Sequence, residues 1–238
     1  MKIHRFIGKF DLSVDKAGLT QKELEITGEI AHQIIKVLKL KPGEKIELCD
    51  GKNISAIAEI LRIGKKKILV KIETLFHQNF AEQNNKKVNL FCAILKKENF
   101  ELVVQKTTEC GVSKIIPIVS ARTVKTGLNL ERLKKIAKEA SEQSGRFDIP
   151  EIHEPKNFLE AIAEKGENIL FDVNGEKYSY ISNSNSPQNI FIGPEGGWTS
   201  EEIEKAKSLN FKILSLGPLT LRGETTAIVA TYLISNLK

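Results

Sequence analysis

The sequence contains little cysteine, three residues in 238, and no apolar run near the roughly 20 residues that a membrane-spanning helix needs. Cys49, Cys92 and Cys110 form no C-x-x-C pair, so neither a zinc site nor a disulfide framework is supported. The segment Met1–Phe10 lacks the long apolar core of a signal peptide. We therefore expect a cytoplasmic protein that does not cross a membrane. No metal is expected at the four dispersed histidines, His4, His32, His77 and His153.

Basic charge is concentrated in the first third of the chain. Residues 1–73 hold 15 Lys and Arg against 10 Asp and Glu, whereas residues 74–238 hold 21 against 20. A basic module beside a near-neutral one is typical of a domain that binds a polyanion such as nucleic acid. A solvated lysine surface is the alternative. The candidate phosphate contacts, each also consistent with a solvated surface charge, are Arg5, Lys36, Lys39 and Lys41.

The period of the apolar pattern changes near residue 88. Residues 1–75 contain several short alternating strands and one helix, which predicts a small β-barrel. Residues 76–87 are polar and aperiodic, and we interpret them as a linker. From residue 88 to residue 238 apolar strands alternate with helices, which predicts an α/β domain with a parallel sheet.

Two Gly/Pro turns follow short apolar strands in this second domain. The first, residues 193–197, follows a strand ending at Ile192, and the second, Gly217-Pro218, follows a strand ending at Leu216. Because glycine has no side chain, a small ligand can approach its backbone closely. Ligands of open α/β sheets bind at the carboxyl edge of the sheet. The alternative for each turn is an ordinary tight connection between a strand and a helix.

The residues in and after the first turn disfavour a phosphate ligand. Residues 193–197 match neither G-x-G-x-x-G nor G-x-x-x-x-G-K-[ST]. Thr199 and Glu202 have the spacing of a capping box, and Glu201 and Glu204 add negative charge to the first helical turn. Because these carboxylates occupy the positive end of the helix dipole, the turn suits a neutral or cationic ligand better.

Arg222 follows the second turn and precedes the last predicted helix. An arginine at such a turn can meet a negative or electron-rich group, or it can pair with Glu224 or another carboxylate. The residue pattern leaves both possibilities open.

Taken together, the two turns closely resemble those of the SPOUT class of methyltransferases. Within that class the chain resembles the family that methylates N3 of a uridine in the 16S ribosomal RNA of the small subunit. The similarity continues through Leu221-Arg222 and Glu224-Thr225-Thr226-Ala227, while Cys110 stands where a leucine is usual. The other matching segments, in the expected order along nearly the whole chain, are residues 4–6, 32–39, 106–117 and 139–146.

The resemblance implies a fold, a cofactor and partners. It implies an N-terminal barrel similar to the PUA RNA-binding domain and a C-terminal α/β domain tied in a trefoil knot. It also implies a homodimer that binds S-adenosylmethionine in a bent pose near the dimer interface, with 16S rRNA in the small ribosomal subunit as substrate. The residues expected to contact the cofactor are Phe171, Ile192, Gly193, Pro194, Glu195, Gly196, Gly197, Leu216, Gly217, Leu219, Leu221, Arg222 and Thr226.

Methylation of uridine N3 needs two kinds of catalytic group, because N3 carries a proton that must leave. A base accepts the proton, and a positive group stabilises the negative charge that spreads over N3, O2 and O4. Arg222 is our first candidate for the positive group, with phosphate binding as its second role, and Arg146 is a candidate from the partner subunit. Glu195 is the candidate base, although it can also accept loop N–H groups. Further candidate bases are Glu224 and Glu109.

Two other classes of function stay open. The first is a non-catalytic RNA-binding factor for ribosome assembly that kept the fold, although the intact Arg222 and both glycine turns argue against it. The second is an enzyme that uses another nucleotide cofactor on a small molecule. The basic N-terminal module and the acidic helix start after Gly197 argue against that second class.

Overall fold

A computed structural model of the chain describes residues 3–12, 22–51, 54–77, 87–124, 126–179 and 186–236. The chain divides into two compact units, Met1–Phe80 with Ser141–Asp148, and Ala81–Ala140 with Ile149–Lys238. Most of the predicted linker, residues 76–87, lies outside the described residues, and its first two residues end a strand. The domain boundaries at residues 75 and 88 therefore stay a prediction. The membership of Ser141–Asp148 in the first unit was not predicted from the sequence.

The described residues of the first unit include a five-stranded sheet and a short helix. Its strands, in the order β1-β3-β4-β5-β2, are β1 (His4–Ile7), β2 (Glu23–Thr27), β3 (Lys45–Cys49), β4 (Ile54–Ile63) and β5 (Lys67–His77). β1 pairs in parallel with β3, and the other pairs are antiparallel. Helix α1 (Gly28–His32) continues as a π-helical turn over Gln33–Val37, and both pack on the apolar face of the sheet through Ala31 and Ile34.

The second unit is a seven-stranded sheet in which every described pairing is parallel. Its order is β12-β10-β11-β6-β7-β8, and β9 also pairs with β7. The strands are β6 (Val88–Ala93), β7 (Lys114–Val119), β8 (Glu151–Ile152), β9 (Lys156–Asn157), β10 (Glu167–Lys177), β11 (Gln188–Ile192) and β12 (Lys212–Ser215). The predicted α/β fold with a parallel sheet is confirmed.

Helices cover both faces of this sheet, and residues on both faces of its central strands are therefore buried and mostly apolar. Leu90 and Cys92 of β6 pack in one cluster with residues of α2, α3 and α6, whereas Phe91 and Ala93 pack in another with α4 and α5. The helices are α2 (Lys97–Glu109), α3 (Leu130–Ser144), α4 (Phe158–Ala161), α5 (Ser200–Ser208) and α6 (Gly223–Asn236). Within the described ranges no helix is long and apolar enough to cross a membrane.

A ladder of three asparagine side chains fixes the alignment of the three central strands. Asn89, Asn189 and Asn168 lie side by side on β6, β11 and β10. The Asn89 amide donates to Asn189 Oδ1 at 2.9 Å, and the Asn189 amide donates to Asn168 Oδ1 at 2.8 Å. The same register places Cys92, Ile192 and Phe171 side by side three residues further on. The ladder therefore sets which residues meet at the carboxyl edge of the sheet.

Candidate active site

A cavity of about 610 Å³ lies at this carboxyl edge, where the two Gly/Pro turns come together. One wall is the first turn, which follows β11, and another is the segment between β12 and α6 that contains the second turn. The remaining wall comes from β10, where the register to β12 shifts between Phe171 and Glu176. A Cβ at Gly175 in this irregular segment would lie 2.6 Å from the Leu214 backbone, so only glycine allows the close approach.

The structure brings nearly all of the predicted cofactor residues to this cavity. Gly217 is the exception, because its backbone shapes the second turn from outside the cavity wall. Its φ of +149° favours glycine, and its N–H donates to Ser215 Oγ at 3.3 Å. The predicted residues that line the cavity are Phe171, Ile192, Gly193, Pro194, Glu195, Gly196, Gly197, Leu216, Leu219, Leu221, Arg222 and Thr226. Their role in binding a cofactor stays a prediction.

Other lining residues were missed in the sequence. Lys96 and Asn99 follow β6, the strand beside β11, so the rule that ligands bind at the carboxyl edge was a usable signal for them. Asp172 directly follows the predicted Phe171. The missed lining residues are Lys96, Asn99, Asp172, Val173, Trp198, Leu214, Ser215, Thr220 and Gly223. Glu224, predicted only as a further candidate base, also lines the cavity.

The first turn is held rigidly from three sides. The Gly197 N–H donates to the Pro194 carbonyl at 2.8 Å, and Gly197 has a φ of +68°. Arg122 Nη1 donates to the Gly196 carbonyl at 2.7 Å. The buried Trp198 donates its ring N–H to the Phe171 carbonyl at 3.1 Å, which ties the turn to β10. These three hydrogen bonds fix the backbone of the first turn to its neighbours.

The acidic start of α5 has the capping box that the sequence predicts. Thr199 Oγ1 accepts from the Glu202 N–H at 3.2 Å, and Glu202 Oε2 accepts from the Thr199 N–H at 2.9 Å. Glu202 Oε1 also accepts from the Ala121 N–H at 2.9 Å. These carboxylate contacts satisfy N–H groups at this helix end, which leaves it unsuited to binding a phosphate.

Three charged side chains at the cavity are candidates for chemistry. Arg222 is exposed, and no ion pair or hydrogen bond joins its guanidinium to Glu224 or to any other residue within the described ranges. Glu195 is exposed, and its Oε1 accepts from the Lys96 N–H at 3.2 Å. Glu224 lies in the first turn of α6 with 8% of its surface exposed. Positively and negatively charged groups therefore occur together at this cavity.

Arg146 and Arg5 do not line the cavity and belong to the first unit. The Arg146 guanidinium pairs with Asp148, with Nη2 and Oδ2 2.8 Å apart. The Arg5 guanidinium pairs with Glu47 at 2.8 Å and lies 4.6 Å from the centre of the Phe147 ring. Both guanidinium groups thus have contacts within the chain, and their predicted roles toward RNA or a partner stay predictions.

The three predicted lysines of the first unit are exposed. Lys36 lies on the π-helical turn, and Lys39 and Lys41 lie in the connection to β3, with Lys39 at a φ of +52°. Exposed ammonium groups can reach phosphates, but exposure alone does not separate RNA contacts from solvated charges. Their role in RNA binding stays a prediction.

The cysteines have the properties of unreactive thiols. Burial raises the pKa of the Cys49 thiol to about 12. Burial, followed by the negative charges of Glu195 and Glu224, raises the pKa of the Cys92 thiol. Burial likewise raises the pKa of Cys110. Because the thiolate is the nucleophilic form, none of the three is suited to covalent catalysis. Among the described residues no group of three or more His, Cys, Asp and Glu side chains could hold a metal ion.

Comparisons with known proteins match both units. Residues 82–235 match the RNA methyltransferase domain family, and residues 26–73 match the RNA methyltransferase PUA domain family. Ribosomal RNA small subunit methyltransferase E of Rickettsia conorii is 33% identical over 84% of this chain and 83% of its own length. The protein of the same name from Bacillus subtilis is 30% identical over 91% of this chain and 93% of its own length.

A solved structure shares the whole fold. It is a Ribosomal RNA small subunit methyltransferase E from Neisseria gonorrhoeae, bound to S-adenosyl methionine. It is 26% identical, has a TM-score of 0.86, and covers 97% of this chain and 95% of its own. The match to this structure covers both the PUA-like N-terminal unit and the α/β unit. The chain belongs to the ribosomal RNA small subunit methyltransferase E family of RNA methyltransferases.

Proposed function

We propose that this protein transfers a methyl group from S-adenosylmethionine to N3 of a uridine in the 16S rRNA of the small ribosomal subunit. The observation that carries the proposal is the cavity formed by the first Gly/Pro turn and by residues on either side of the second. Relatives named as methyltransferases of small-subunit ribosomal RNA, one of them bound to S-adenosyl methionine, support the reaction and the cofactor. The choice of N3 rests on the family resemblance of the sequence motifs.

The cavity is suited to S-adenosylmethionine in size and in charge. Its volume of about 610 Å³ is in the usual range for small-molecule sites. It is lined by the carboxylates Asp172, Glu195 and Glu224 and by the cations Lys96 and Arg222, an excess of one negative charge. When bound, S-adenosylmethionine supplies an electrophilic methyl group on a positively charged sulfur, and this excess suits a cationic ligand.

The glycine backbone and the apolar side chains would hold the cofactor. Gly193 and Gly196 leave room for backbone hydrogen bonds to a ligand, and Phe171 is a buried apolar wall. Leu219 and Leu221 are exposed apolar side chains at the cavity, with 75% and 38% of their surface accessible. An apolar ligand surface would cover both leucines and gain free energy from their burial.

Arg222 is proposed to stabilise the negative charge of the reacting uracil. Its guanidinium lines the cavity and has no partner within the described part of the chain, so a substrate group can bind it without displacing a carboxylate. Positive charge directed at N3, O2 and O4 favours loss of the N3 proton and stabilises the transition state. Binding a nucleotide phosphate is the second role proposed for Arg222. Glu195 is the sequence-based candidate for the proton acceptor, and Arg146 is the candidate contributed by a partner subunit.

The first unit is proposed to bind the RNA. Its match to a PUA domain family of RNA methyltransferases and its exposed Lys36, Lys39 and Lys41 support this role. Contacts of this kind position the substrate, while the reaction takes place at the cavity of the second unit. A cytoplasmic homodimer and a trefoil knot in the second unit complete the proposal, and both rest on the family resemblance.

The test is methyl transfer from labelled S-adenosylmethionine to purified small ribosomal subunits from cells that lack this protein. The ribosomal RNA is then digested to nucleosides and analysed by mass spectrometry. We expect labelled N3-methyluridine at a single site. Cofactor binding without any labelled nucleoside would contradict the proposal and favour a non-catalytic assembly factor.

A further inference from the structure

Glu224 is a buried carboxylate without a partner at the edge of the cavity. It has 8% of its surface exposed, and its Oε2 atom is buried without a hydrogen-bond partner. No ion pair or hydrogen bond reaches its side chain from any residue within the described ranges. A buried anionic oxygen left unpaired is strongly unfavourable, so an unpaired one in a native fold requires an explanation.

The position of Glu224 is fixed by close packing at the start of α6. A Cβ at the preceding Gly223 would lie 3.0 Å from Leu95 Cδ2 and 3.5 Å from the Gly193 carbonyl oxygen. The first turn of α6 therefore rests directly against the first Gly/Pro turn. Glu224 lies in this first turn, at the edge of the cavity, and its Oε2 is left without a hydrogen-bond partner.

Glu195, the other candidate acceptor, is in a different situation. Its side chain is exposed, and its Oε1 is already used in accepting the Lys96 N–H at 3.2 Å. That contact joins the first turn to the segment before α2. It is the structural alternative considered for Glu195 from the sequence, in which its side chain accepts loop N–H groups. Glu224 has no such bond to lose when a substrate donor approaches.

We propose that Glu224 accepts the N3 proton of the target uridine, an inference that rests on the proposed function. The N3–H bond breaks, the proton bonds to a carboxylate oxygen of Glu224, and the electron pair of the N–H bond stays on N3. That pair then forms the bond to the methyl carbon, while the electron pair of the carbon–sulfur bond stays on sulfur. The proton leaves Glu224 for solvent after the product departs, and Arg222 stabilises the uracil while its charge is negative.

Other titratable groups surround Glu224, and they bear on its pH dependence. Lys96 precedes α2, Asp172 lies on β10, Glu195 lies in the first turn, and Arg222 precedes α6. The Cys92 thiol on β6 is buried nearby, and the negative charges of Glu195 and Glu224 contribute to its raised pKa. A pH dependence of the rate can therefore be assigned to Glu224 only if it changes in a variant in which Glu224 alone is substituted.

The experiment compares Glu224→Gln with the wild type in two assays. Calorimetric titration gives the Kd of S-adenosylmethionine and of S-adenosylhomocysteine, and single-turnover methylation of small subunits at saturating cofactor gives the rate across a pH series. We expect Glu224→Gln to keep both Kd values within about threefold and to lower the rate by roughly 100- to 10,000-fold. Its residual rate should rise about tenfold per pH unit, because only uridine that is already deprotonated then reacts.

A matched control is Glu131→Gln, which removes a carboxylate from the exposed first turn of α3, away from the cavity lining. We expect its Kd values and its pH profile to equal those of the wild type. Glu224→Asp keeps the charge but shortens the side chain, so its rate should fall by roughly 10- to 100-fold with a wild-type pH profile. If Glu224→Gln does not fold, Glu224→Asp is used to test the proposal instead.

Three results would overturn the assignment of Glu224. Wild-type activity in Glu224→Gln would show that its carboxylate takes no proton, and an unchanged rate in a folded Glu224→Asp would contradict the position assigned to that carboxylate. Weaker binding of both cofactor forms with a normal saturated rate would make Glu224 a partner of the cofactor instead. A larger rate loss in Glu195→Gln than in Glu224→Gln would identify Glu195 as the proton acceptor. If the wild type itself methylates no nucleoside, the proposed function fails along with this inference.

Discussion

The asparagine ladder predicts a large loss of stability from one nearly isosteric substitution, Asn189→Leu. Asn189 is 1% exposed, and its side chain makes three hydrogen bonds, to Asn89 at 2.9 Å, Asn168 at 2.8 Å and the Lys165 carbonyl at 3.1 Å. Each lost bond removes about 1 kcal/mol, and buried partners left unpaired add about 1–3 kcal/mol. We expect the free energy of unfolding of the second unit to fall by about 4–6 kcal/mol.

Urea denaturation followed by tryptophan fluorescence measures this loss. Trp198 is the single tryptophan of the chain and is buried in the second unit, so its emission reports the unfolding of that unit. The free energy of unfolding of a small domain falls by about 2 kcal/mol per M of urea, so a loss of about 4–6 kcal/mol lowers the midpoint by roughly 2–3 M.

The matched control for this prediction is Asn236→Leu. Asn236 also uses its side-chain amide in two hydrogen bonds, to the Cys110 and Tyr232 carbonyls, but it is exposed. Water can replace its bonds, so we expect a change within about 0.5 kcal/mol. A midpoint for Asn189→Leu equal to that of Asn236→Leu would refute the claim that the ladder holds the central strands together.

Three further predictions concern the site and the thiols. Arg222→Ala should keep S-adenosylmethionine binding in calorimetry. Its rate of methyl transfer should fall by at least about 100-fold because the positive group is removed, and full activity would contradict the role of Arg222. Gly193→Ala should weaken S-adenosylmethionine binding about tenfold, because its Cβ would lie 3.1 Å from the Trp198 ring, whereas Gly127→Ala, which has open space, should not. In native protein at neutral pH, iodoacetamide should leave Cys49 and Cys92 unmodified because both are buried with raised pKa values, and rapid labelling of either would contradict this.

Local sequence patterns predicted the features that depend on neighbouring residues. The Thr199–Glu202 capping box and the parallel α/β sheet are found as expected. The two Gly/Pro turns also meet at one cavity, because parallel strands place their carboxyl ends at the same edge. In each case the signal lies within a few residues or follows from strand direction alone.

Features that depend on distant residues were not predictable in this way. Residues 141–148 join the first unit through contacts such as the Ile7 N–H to Glu142 at 2.8 Å and Arg5 over the Phe147 ring. These residues are more than 130 positions apart, and no periodicity connects them. The missing partner of Glu224 is likewise invisible in the sequence, since it depends on every residue packed around the start of α6.

The central claim is that the cavity at the two turns is the site of uridine methylation in small-subunit ribosomal RNA. The most direct test is to delete the gene in its source cells, restore it as wild type or Arg222→Ala, and quantify N3-methyluridine in purified small-subunit RNA. We predict that N3-methyluridine disappears on deletion, returns fully with the wild type and does not return with Arg222→Ala at equal protein level. N3-methyluridine that persists in the deletion strain, or returns fully with Arg222→Ala, would contradict the account.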